Sequence, residues 1–229
     1  MKLIVSVQSV SEAELAAAGR ADLIDIKDPA SGSLGRASEI VLQQIIKRFG
    51  NRYNLSAALG ELRERACFQP PDPLLSFTKF GLAHCINWPW QQKLLEYARQ
   101  SSVTLVPTIY ADAFRAQSPS PQAILDFVIK NQWHVVLIDT WKKDGSSLFD
   151  WLSFAELDQI ITETHAHGSE IALAGSLTLN HVPQLHQLKP DWVAVRGAVC
   201  EHLNRSRSLR SDLVLTWHQA LSTNNYKNR

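Results

Sequence analysis

Eight short apolar runs recur along the chain, and helical patterns lie between most of them. The runs are rich in Val, Ile and Leu, as is typical of strands that are buried on both faces. They cover residues 3–7, 23–27, 55–59, 77–82, 103–109, 135–139, 171–174 and 192–196. The helical patterns cover residues 11–19, 38–49, 88–100, 121–131, 153–167 and 182–188. Strands that alternate with helices predict a parallel sheet.

Eight strands in roughly 200 residues favour an α/β fold, a single-domain (β/α)8 TIM barrel, over an open doubly wound sheet. The sequence also lacks the Gly-rich dinucleotide fingerprint that many open sheets carry. We expect the barrel to span residues 1–221 and residues 222–229 to form a polar, frayed tail. The proline-rich residues 63–73 are expected to replace or shorten the helix after the third strand.

Composition argues against several classes of protein. The 23 Lys and Arg residues balance 22 Asp and Glu residues, so the chain has no overall charge that would favour nucleic acid or a membrane surface. The three cysteines, Cys67, Cys85 and Cys200, have neither the number nor the spacing of a disulfide framework or a zinc site. No apolar segment approaches the ~18 residues of a membrane span. We therefore expect a cytoplasmic protein without nucleic-acid or membrane partners.

The second predicted strand, LIDIK, carries two charged residues on one face. Side chains two positions apart in a strand share a face, so Leu23, Asp25 and Lys27 point to one side while Ile24 and Ile26 pack on the other. An amine held near other charges in a partly dry pocket loses its proton more easily and attacks carbonyl carbon. An ion pair at the barrel rim explains the same two charges.

In a barrel, reactive groups lie at the carboxyl ends of the strands. Lys79 lies among strand-like neighbours in the fourth run, Asp139 ends the sixth, and Lys142 and Lys143 follow it. We expect these groups to meet Lys27 at one mouth, where crowded cations lower each other's pKa. For the two loop lysines, simple exposure to solvent is the alternative.

Glycine turns follow the seventh and eighth runs. In this fold these turns commonly hold a phosphate through backbone N–H groups. We expect Gly175, Ser176, Gly197 and Ala198 to bind phosphate, with a bidentate contact from Arg196. A tight turn explains either glycine alone, whereas the two together indicate a phosphate site.

Two other clusters are given simpler interpretations. The histidines form neither HExxH nor a Cys/His cluster, so no metal is expected. The basic stretch RSRSLR, residues 205–210, follows the eighth strand. It is interpreted as a solvated loop, with phosphate binding as the alternative.

The chain resembles a known family, the (5-formylfuran-3-yl)methyl phosphate synthases of methanofuran-type cofactor biosynthesis. The resemblance lies in DLIDIKDPASGSLG, TKFGL, YADAFR, LIDTWKKDGSSLFDWLS, IALAGS and VAVRGAVC, in the family's order. It implies a (β/α)8 barrel that condenses two molecules of glyceraldehyde 3-phosphate, with loss of phosphate and water and with no cofactor. Residues 62–76 and the segment after Cys200 depart from the family's pattern, and the second departure concerns how the phosphate is enclosed.

The resemblance also implies roles for individual residues. Lys27 matches the Schiff-base lysine, Lys79 the proton acceptor and Asp25 its carboxylate partner. Asp139 and Lys143 match the Asp and Lys that lie four apart in the family's DTxxKDG string. The product would enter methanofuran or methylofuran biosynthesis and thereby C1 metabolism.

Two alternatives from other classes stay open. The chain fits another class I, Schiff-base aldolase acting on a sugar phosphate, which the identity of the product would distinguish. It also fits a non-catalytic sugar-phosphate-binding barrel, although all five catalytic positions hold the expected residue types. A homo-oligomer stays open as well. Trp88 and Trp90 are expected to begin a helix and pack on a neighbouring element, and an exposed pair there would instead mark a subunit interface.

Overall fold

The computed structural model describes residues 1–64 and 69–222, and its centre is a closed barrel of eight parallel strands in sequence order. The strands are β1 (Lys2–Val7), β2 (Leu23–Ile26), β3 (Leu55–Glu61), β4 (Phe77–Gly81), β5 (Thr104–Tyr110), β6 (Val135–Asp139), β7 (Glu170–Leu173) and β8 (Trp192–Val195). The helices are α1 (Val10–Ala18), α2 (Glu39–Phe49), α3 (Trp90–Arg99), α4 (Ala113–Ala116), α5 (Pro121–Lys130), α6 (Phe154–Ala166), α7 (Val182–Leu188) and α8 (Ser211–Ser222).

This architecture confirms the predicted (β/α)8 barrel with all eight strands and all six predicted helices. The sequence prediction missed the short α4 and the longer α8. The sequence predicted Ser222 to be part of the tail, whereas it is the last residue of α8. The rest of the predicted tail, residues 223–229, lies outside the described part of the chain. Between β3 and β4, the described residues form only a 3-10 turn at Leu62–Glu64, as the proline-rich sequence predicted; Cys67 lies outside the described residues.

Alternation along the strands divides the core into two layers. Leu23 lies in the barrel interior with Ile4, Val106 and Leu137. Ile24 and Ile26, which alternate with Leu23 and Asp25 along β2, lie instead in the large cluster between the barrel and its helices. This arrangement confirms the predicted faces of β2 and directs Asp25 to the interior.

The loop after β2 folds back over the mouth of the barrel. The N–H of Asp28 donates to the carbonyl of Gly35 at 2.8 Å, and the N–H of Gly60 donates to the carbonyl of Leu34 at 2.9 Å. A Cβ at Gly35 would overlap the carbonyl oxygen of Asp28, so this return requires glycine. The closed loop places Ser33 above the ends of the strands. None of the helices in residues 1–64 and 69–222 is long and apolar enough to span a bilayer.

Candidate active site

One pocket of about 490 Å³ lies at the carboxyl ends of the strands. It is lined by all the residues to which the sequence analysis gave a catalytic or phosphate-binding role, but not by Lys142, which was expected at the same mouth. These are Asp25, Lys27, Lys79, Asp139, Lys143, Gly175, Ser176, Arg196, Gly197 and Ala198. Lys142 is exposed beside the ring of Trp141 and does not line the pocket.

Asp25 and Lys79 form a buried ion pair in the barrel interior. Lys79 Nζ lies 2.5 Å from Asp25 Oδ1, and both side chains are less than a tenth exposed. The Asp25 carboxylate also accepts hydrogen bonds from Ser6 Oγ at 2.9 Å and Ser56 Oγ at 2.7 Å. Ser6 in β1 and Ser56 in β3 pair directly with Asp25 in the sheet register, which explains why both hydroxyls reach it.

The surroundings of Asp25 keep it ionised. Burial alone raises the pKa of the carboxyl, but the ammonium groups of Lys79 and Lys27 and the hydrogen bonds from Lys79 and Ser56 outweigh it. The pKa of Asp25 is therefore lowered from its ordinary value. The carboxylate is a negative charge in the interior, against which the Lys79 amine is held.

Lys27 follows directly on β2, and its side chain is buried, with 8% of its surface exposed. Burial lowers the pKa of Lys27 to about 8, while Asp139 and Asp25 act in the opposite direction. The sequence predicted two causes of this depression, a partly dry pocket and crowded cations. Lys143 and Lys79 do contribute, but loss of hydration is the largest cause. The ammonium is still the major form near physiological pH, but a minority of Lys27 much larger than for an ordinary lysine is neutral and nucleophilic.

Ser33 connects Lys27 to a second buried carboxylate. Lys27 Nζ donates to the carbonyl oxygen of Ser33 at 3.3 Å, and Ser33 Oγ donates to Asp139 Oδ2 at 2.8 Å. Lys143 Nζ donates to Asp139 Oδ1 at 2.7 Å and to Thr140 Oγ1 at 3.0 Å. Burial raises the pKa of Asp139, but Lys143 and Lys27 outweigh burial and lower it overall.

Asp112 fixes the loop that carries Lys143. Its carboxylate accepts hydrogen bonds from the N–H groups of Trp141 at 2.6 Å and Lys142 at 3.0 Å. Asp112 lies two residues beyond β5 and is 2% exposed, so the loop after β6 is anchored to the segment that follows the neighbouring strand. From this loop Lys143, and not Lys142, lines the pocket.

The two glycine turns flank one side of the same pocket. Gly175 has a φ of +105°, and a Cβ there would lie 3.0 Å from Thr140 Cγ2. Ser176 follows with a φ of +47°, which is uncommon for a residue with a side chain. Left-handed backbone of this kind is often retained where main-chain groups must face a ligand.

The side chain of Arg196 is placed differently from the expectation of a bidentate phosphate contact. Its guanidinium forms a buried bidentate ion pair with Glu12 in α1. Its remaining donors bind the carbonyl oxygens of Ser6, Arg205 and Arg207. The side chain therefore joins α1, β1 and the loop after β8, with each nitrogen already engaged within the chain.

Arg205 corrects the interpretation of the basic stretch as a solvated loop. Its side chain is partly buried and lines the pocket, whereas Arg207 and Arg210 are exposed. Arg205 Nη2 donates to the carbonyl oxygens of Pro29 at 3.0 Å and Gly32 at 2.9 Å. The loop after β8 thus contacts the loop after β2 through this residue.

Sequence reasoning missed several residues that hold the reactive groups in place. They are Ser6, Glu12, Ser33, Ser56 and Thr140, whereas Arg205 entered only through the alternative interpretation of residues 205–210. A signal did exist for two of them, because Ser6 and Ser56 are isolated hydroxyls within apolar strands. Within residues 1–64 and 69–222, no group of three or more His, Cys, Asp or Glu side chains is arranged to hold a metal ion.

Comparison with solved structures supports the fold. Phosphoribosyl anthranilate isomerase from Thermus thermophilus superposes with a TM-score of 0.61 and covers 96% of this chain and 100% of its own. The two sequences are 14% identical, so this likeness concerns the barrel alone.

Comparison of sequences identifies the family. The family model described as 4-HFC-P synthase matches residues 3–218. A protein of Archaeoglobus fulgidus named (5-formylfuran-3-yl)methyl phosphate synthase is 32% identical over 240 residues, covering 96% of this chain and 99% of the relative. The protein of the same name from Methanopyrus kandleri is 32% identical over 237 residues with the same coverage. Since the match extends over almost the whole barrel, the chain belongs to the 4-HFC-P synthase family.

Proposed function

We propose that this protein is a (5-formylfuran-3-yl)methyl phosphate synthase that condenses two molecules of glyceraldehyde 3-phosphate. It acts as a lyase through a Schiff base on Lys27 and provides a furan for methanofuran-type cofactors. The observation that carries the proposal is the convergence of Lys27, with its lowered pKa, and two lysine–aspartate pairs on one pocket of a chain in this family.

The reaction balances without an oxidant or a reductant. Two trioses supply the six carbons of the furan, its formyl group and its phosphomethyl group. One phosphate is retained in the product and one is released. Two molecules of water are released as well. The chemistry therefore consists of proton transfers, one elimination, one carbon–carbon bond formation and dehydrations, which amines and carboxylates can catalyse.

The first triose is activated as an imine. The neutral amine of Lys27 attacks its C1 aldehyde and water leaves, which gives a protonated imine that makes the C2 proton acidic. The amine of Lys79, at the interior end of the pocket, accepts this proton in its neutral form, and the Asp25 carboxylate beside it stabilises the ammonium that results. The resulting enamine expels phosphate from C3, so the carbon–oxygen bond breaks and the electron pair leaves with the phosphate. This leaves a C2–C3 enol conjugated to the imine, and loss of its hydroxyl proton makes C3 the nucleophile that attacks the carbonyl carbon of the second triose.

The second triose accepts the new carbon–carbon bond. The positions of the formyl and phosphomethyl groups in the product require C3 of the first triose to join C2 of the second. The second triose must therefore react as its keto isomer, which forms when a proton moves from C2 to C1. Asp139 and Lys143, together with the Lys79–Asp25 pair, are placed to move protons in this isomerisation, in ring closure and in the dehydrations. Hydrolysis of the imine then releases the formyl group.

Phosphate binding falls to the backbone of the glycine turns after β7 and β8. Gly175, Ser176, Gly197 and Ala198 line the pocket on that side. Backbone N–H groups in such turns bind phosphate without carrying a proton that would take part in the chemistry. The phosphate ends of the substrates are thereby held away from the lysines that act on their carbonyl ends.

Product identification tests the proposal. Purified protein is incubated with glyceraldehyde 3-phosphate while the ultraviolet spectrum, the released phosphate and the product mass are followed. A furan chromophore, a product with the mass of (5-formylfuran-3-yl)methyl phosphate and one phosphate per furan support the proposal. Phosphate or an aldol without the furan would favour another Schiff-base aldolase. No turnover would favour a barrel that only binds sugar phosphates.

A further inference from the structure

We propose that Arg205 is the side chain that binds substrate phosphate in this protein, in place of Arg196. The inference deepens the proposed function, because it identifies the cation of the phosphate site, and it rests on that function for the identity of the substrate.

The charges around the pocket single out Arg205. Three cations are neutralised by direct partners, since Lys79 binds Asp25, Lys143 binds Asp139 and Arg196 binds Glu12. In the described part of the chain, the pocket-lining cations without a carboxylate within ion-pair distance are therefore Lys27 and Arg205. Lys27 must be neutral to act as a nucleophile. Arg205 then remains as the unpaired positive charge available to a phosphate.

The position of Arg205 places it beside the expected phosphate site. The backbone of Arg205 lies close to the glycine turn after β8. A Cβ built on Gly197 would lie 3.5 Å from the backbone nitrogen of Arg205, which is van der Waals contact. Arg205 lines the same pocket as both glycine turns. Backbone N–H groups and one arginine side chain on the same turn are a recurrent combination for phosphate.

The hydrogen bonds of Arg205 leave it incompletely satisfied. Nη2 is anchored to the carbonyl oxygens of Pro29 and Gly32, but the buried Nε has no hydrogen-bond partner in residues 1–64 and 69–222. A buried donor on a charged group without a partner is unfavourable. Nη1 forms no hydrogen bond in those residues either and is not among the buried unpaired atoms, so it is the donor of this guanidinium that a phosphate oxygen can reach.

The same contacts connect phosphate binding to the reactive lysine. Pro29 and Gly32 belong to the loop that runs from Lys27 to Gly35, and the next residue, Ser33, contacts both Lys27 and Asp139. An anion that fixes the Arg205 side chain therefore also steadies this loop. Arg205 discriminates in favour of triose phosphates over trioses without phosphate.

The test measures binding of glycerol 3-phosphate, which cannot form an imine, by calorimetric titration. Arg205→Ala is compared with the native chain, with Arg205→Lys and with Arg207→Ala, which removes the same charge from an exposed position of the same loop. We expect Arg205→Ala to weaken binding by on the order of 10- to 100-fold and Arg205→Lys to weaken it less. Arg207→Ala should bind within about twofold of the native chain, since exposed charges contribute little.

A second measurement separates phosphate binding from an effect on the loop. Borohydride trapping is compared for glyceraldehyde 3-phosphate and for glyceraldehyde without phosphate. Arg205→Ala should lose trapping of the phosphorylated aldehyde and keep that of the other. Equal losses for both aldehydes, native-like binding of the probe by Arg205→Ala, or no binding by the native chain would each overturn the inference. A chain that binds the probe through Arg205 but forms no furan would overturn the proposed function and leave this inference standing.

Discussion

Lys79 and Asp25 form an ion pair of 2.5 Å across the barrel interior, although β3 lies between their strands. Ser56 in β3 bridges the gap by donating to the same carboxylate. The pair therefore depends on three neighbouring strands at once. Its position beside Lys27 in one pocket is the basis of the proton-transfer role that we propose for it.

The rate at which Lys27 forms an imine should depend on pH in the way that its lowered pKa predicts. The neutral amine is the reactive form, so the rate of imine formation should rise with pH and reach half its maximum near pH 8. Lys143→Met removes a cation that lowers the pKa of Lys27, so the midpoint should move to higher pH. Asp139→Asn removes a carboxylate that raises it, so the midpoint should move to lower pH. Initial rates of borohydride trapping across pH measure all three midpoints, and an unchanged midpoint in both variants would contradict these causes.

Breaking the buried pair should cost stability as well as activity. Lys79→Met leaves Asp25 as a buried charge without its main partner, and we expect a loss of about 3–5 kcal/mol in the free energy of unfolding. Asp25→Asn in the same background removes that unpaired charge and should recover much of the loss while activity stays absent. Urea unfolding of the two variants and the native chain provides the comparison. Native stability of Lys79→Met would show that the pair is not formed in solution.

Arg196 and Glu12 should behave as a structural pair. Arg196→Met or Glu12→Gln alone leaves a buried charge uncompensated, so each should lower the free energy of unfolding by about 3 kcal/mol. The double variant should lose less than the sum, because neither charge then remains. Unfolding measurements give this coupling. A KM that rises in Arg196→Met while its stability is native would contradict the pairing and favour a direct phosphate contact.

A side chain at Gly81 should destabilise the protein. A Cβ at this position would overlap the Glu61 carboxylate and the Tyr110 hydroxyl, which are hydrogen-bonded at 2.6 Å. We expect Gly81→Ala to lower the free energy of unfolding by about 1–3 kcal/mol. Removing the hydroxyl with Tyr110→Phe relieves part of the overlap, so the two changes together should cost less than the sum of the separate losses. Thermal unfolding of the three variants checks this, and strict additivity would speak against the overlap.

The barrel could be predicted from the sequence because its strands are buried on both faces. Such strands appear as continuous β-branched runs, and eight of them with helices between allow few arrangements. Helix α8 also carries an apolar spacing, with Val214, Trp217 and Leu221 buried on one face. It was missed because its flanking residues are basic and polar, so the segment resembles a solvated end of the chain.

The reactive residues could be located from the family strings and the strand ends, but their partners could not. Ser6 and Ser56 reach Asp25 only through the register of β1, β2 and β3, which single strands do not encode. Arg196 pairs with Glu12, a residue 184 positions away. No local pattern distinguishes an arginine that binds such a partner from one that faces the pocket, and so Arg205 was assigned to solvent.

The most direct test of the central claim is intact-protein and peptide mass spectrometry after incubation with glyceraldehyde 3-phosphate and borohydride. We predict one triose-derived adduct per chain, located on Lys27 and absent from Lys27→Ala, in a native protein that also forms the furan chromophore without borohydride. An adduct that persists in Lys27→Ala, or furan synthesis by that variant, would contradict the assignment of Lys27 as the Schiff-base lysine.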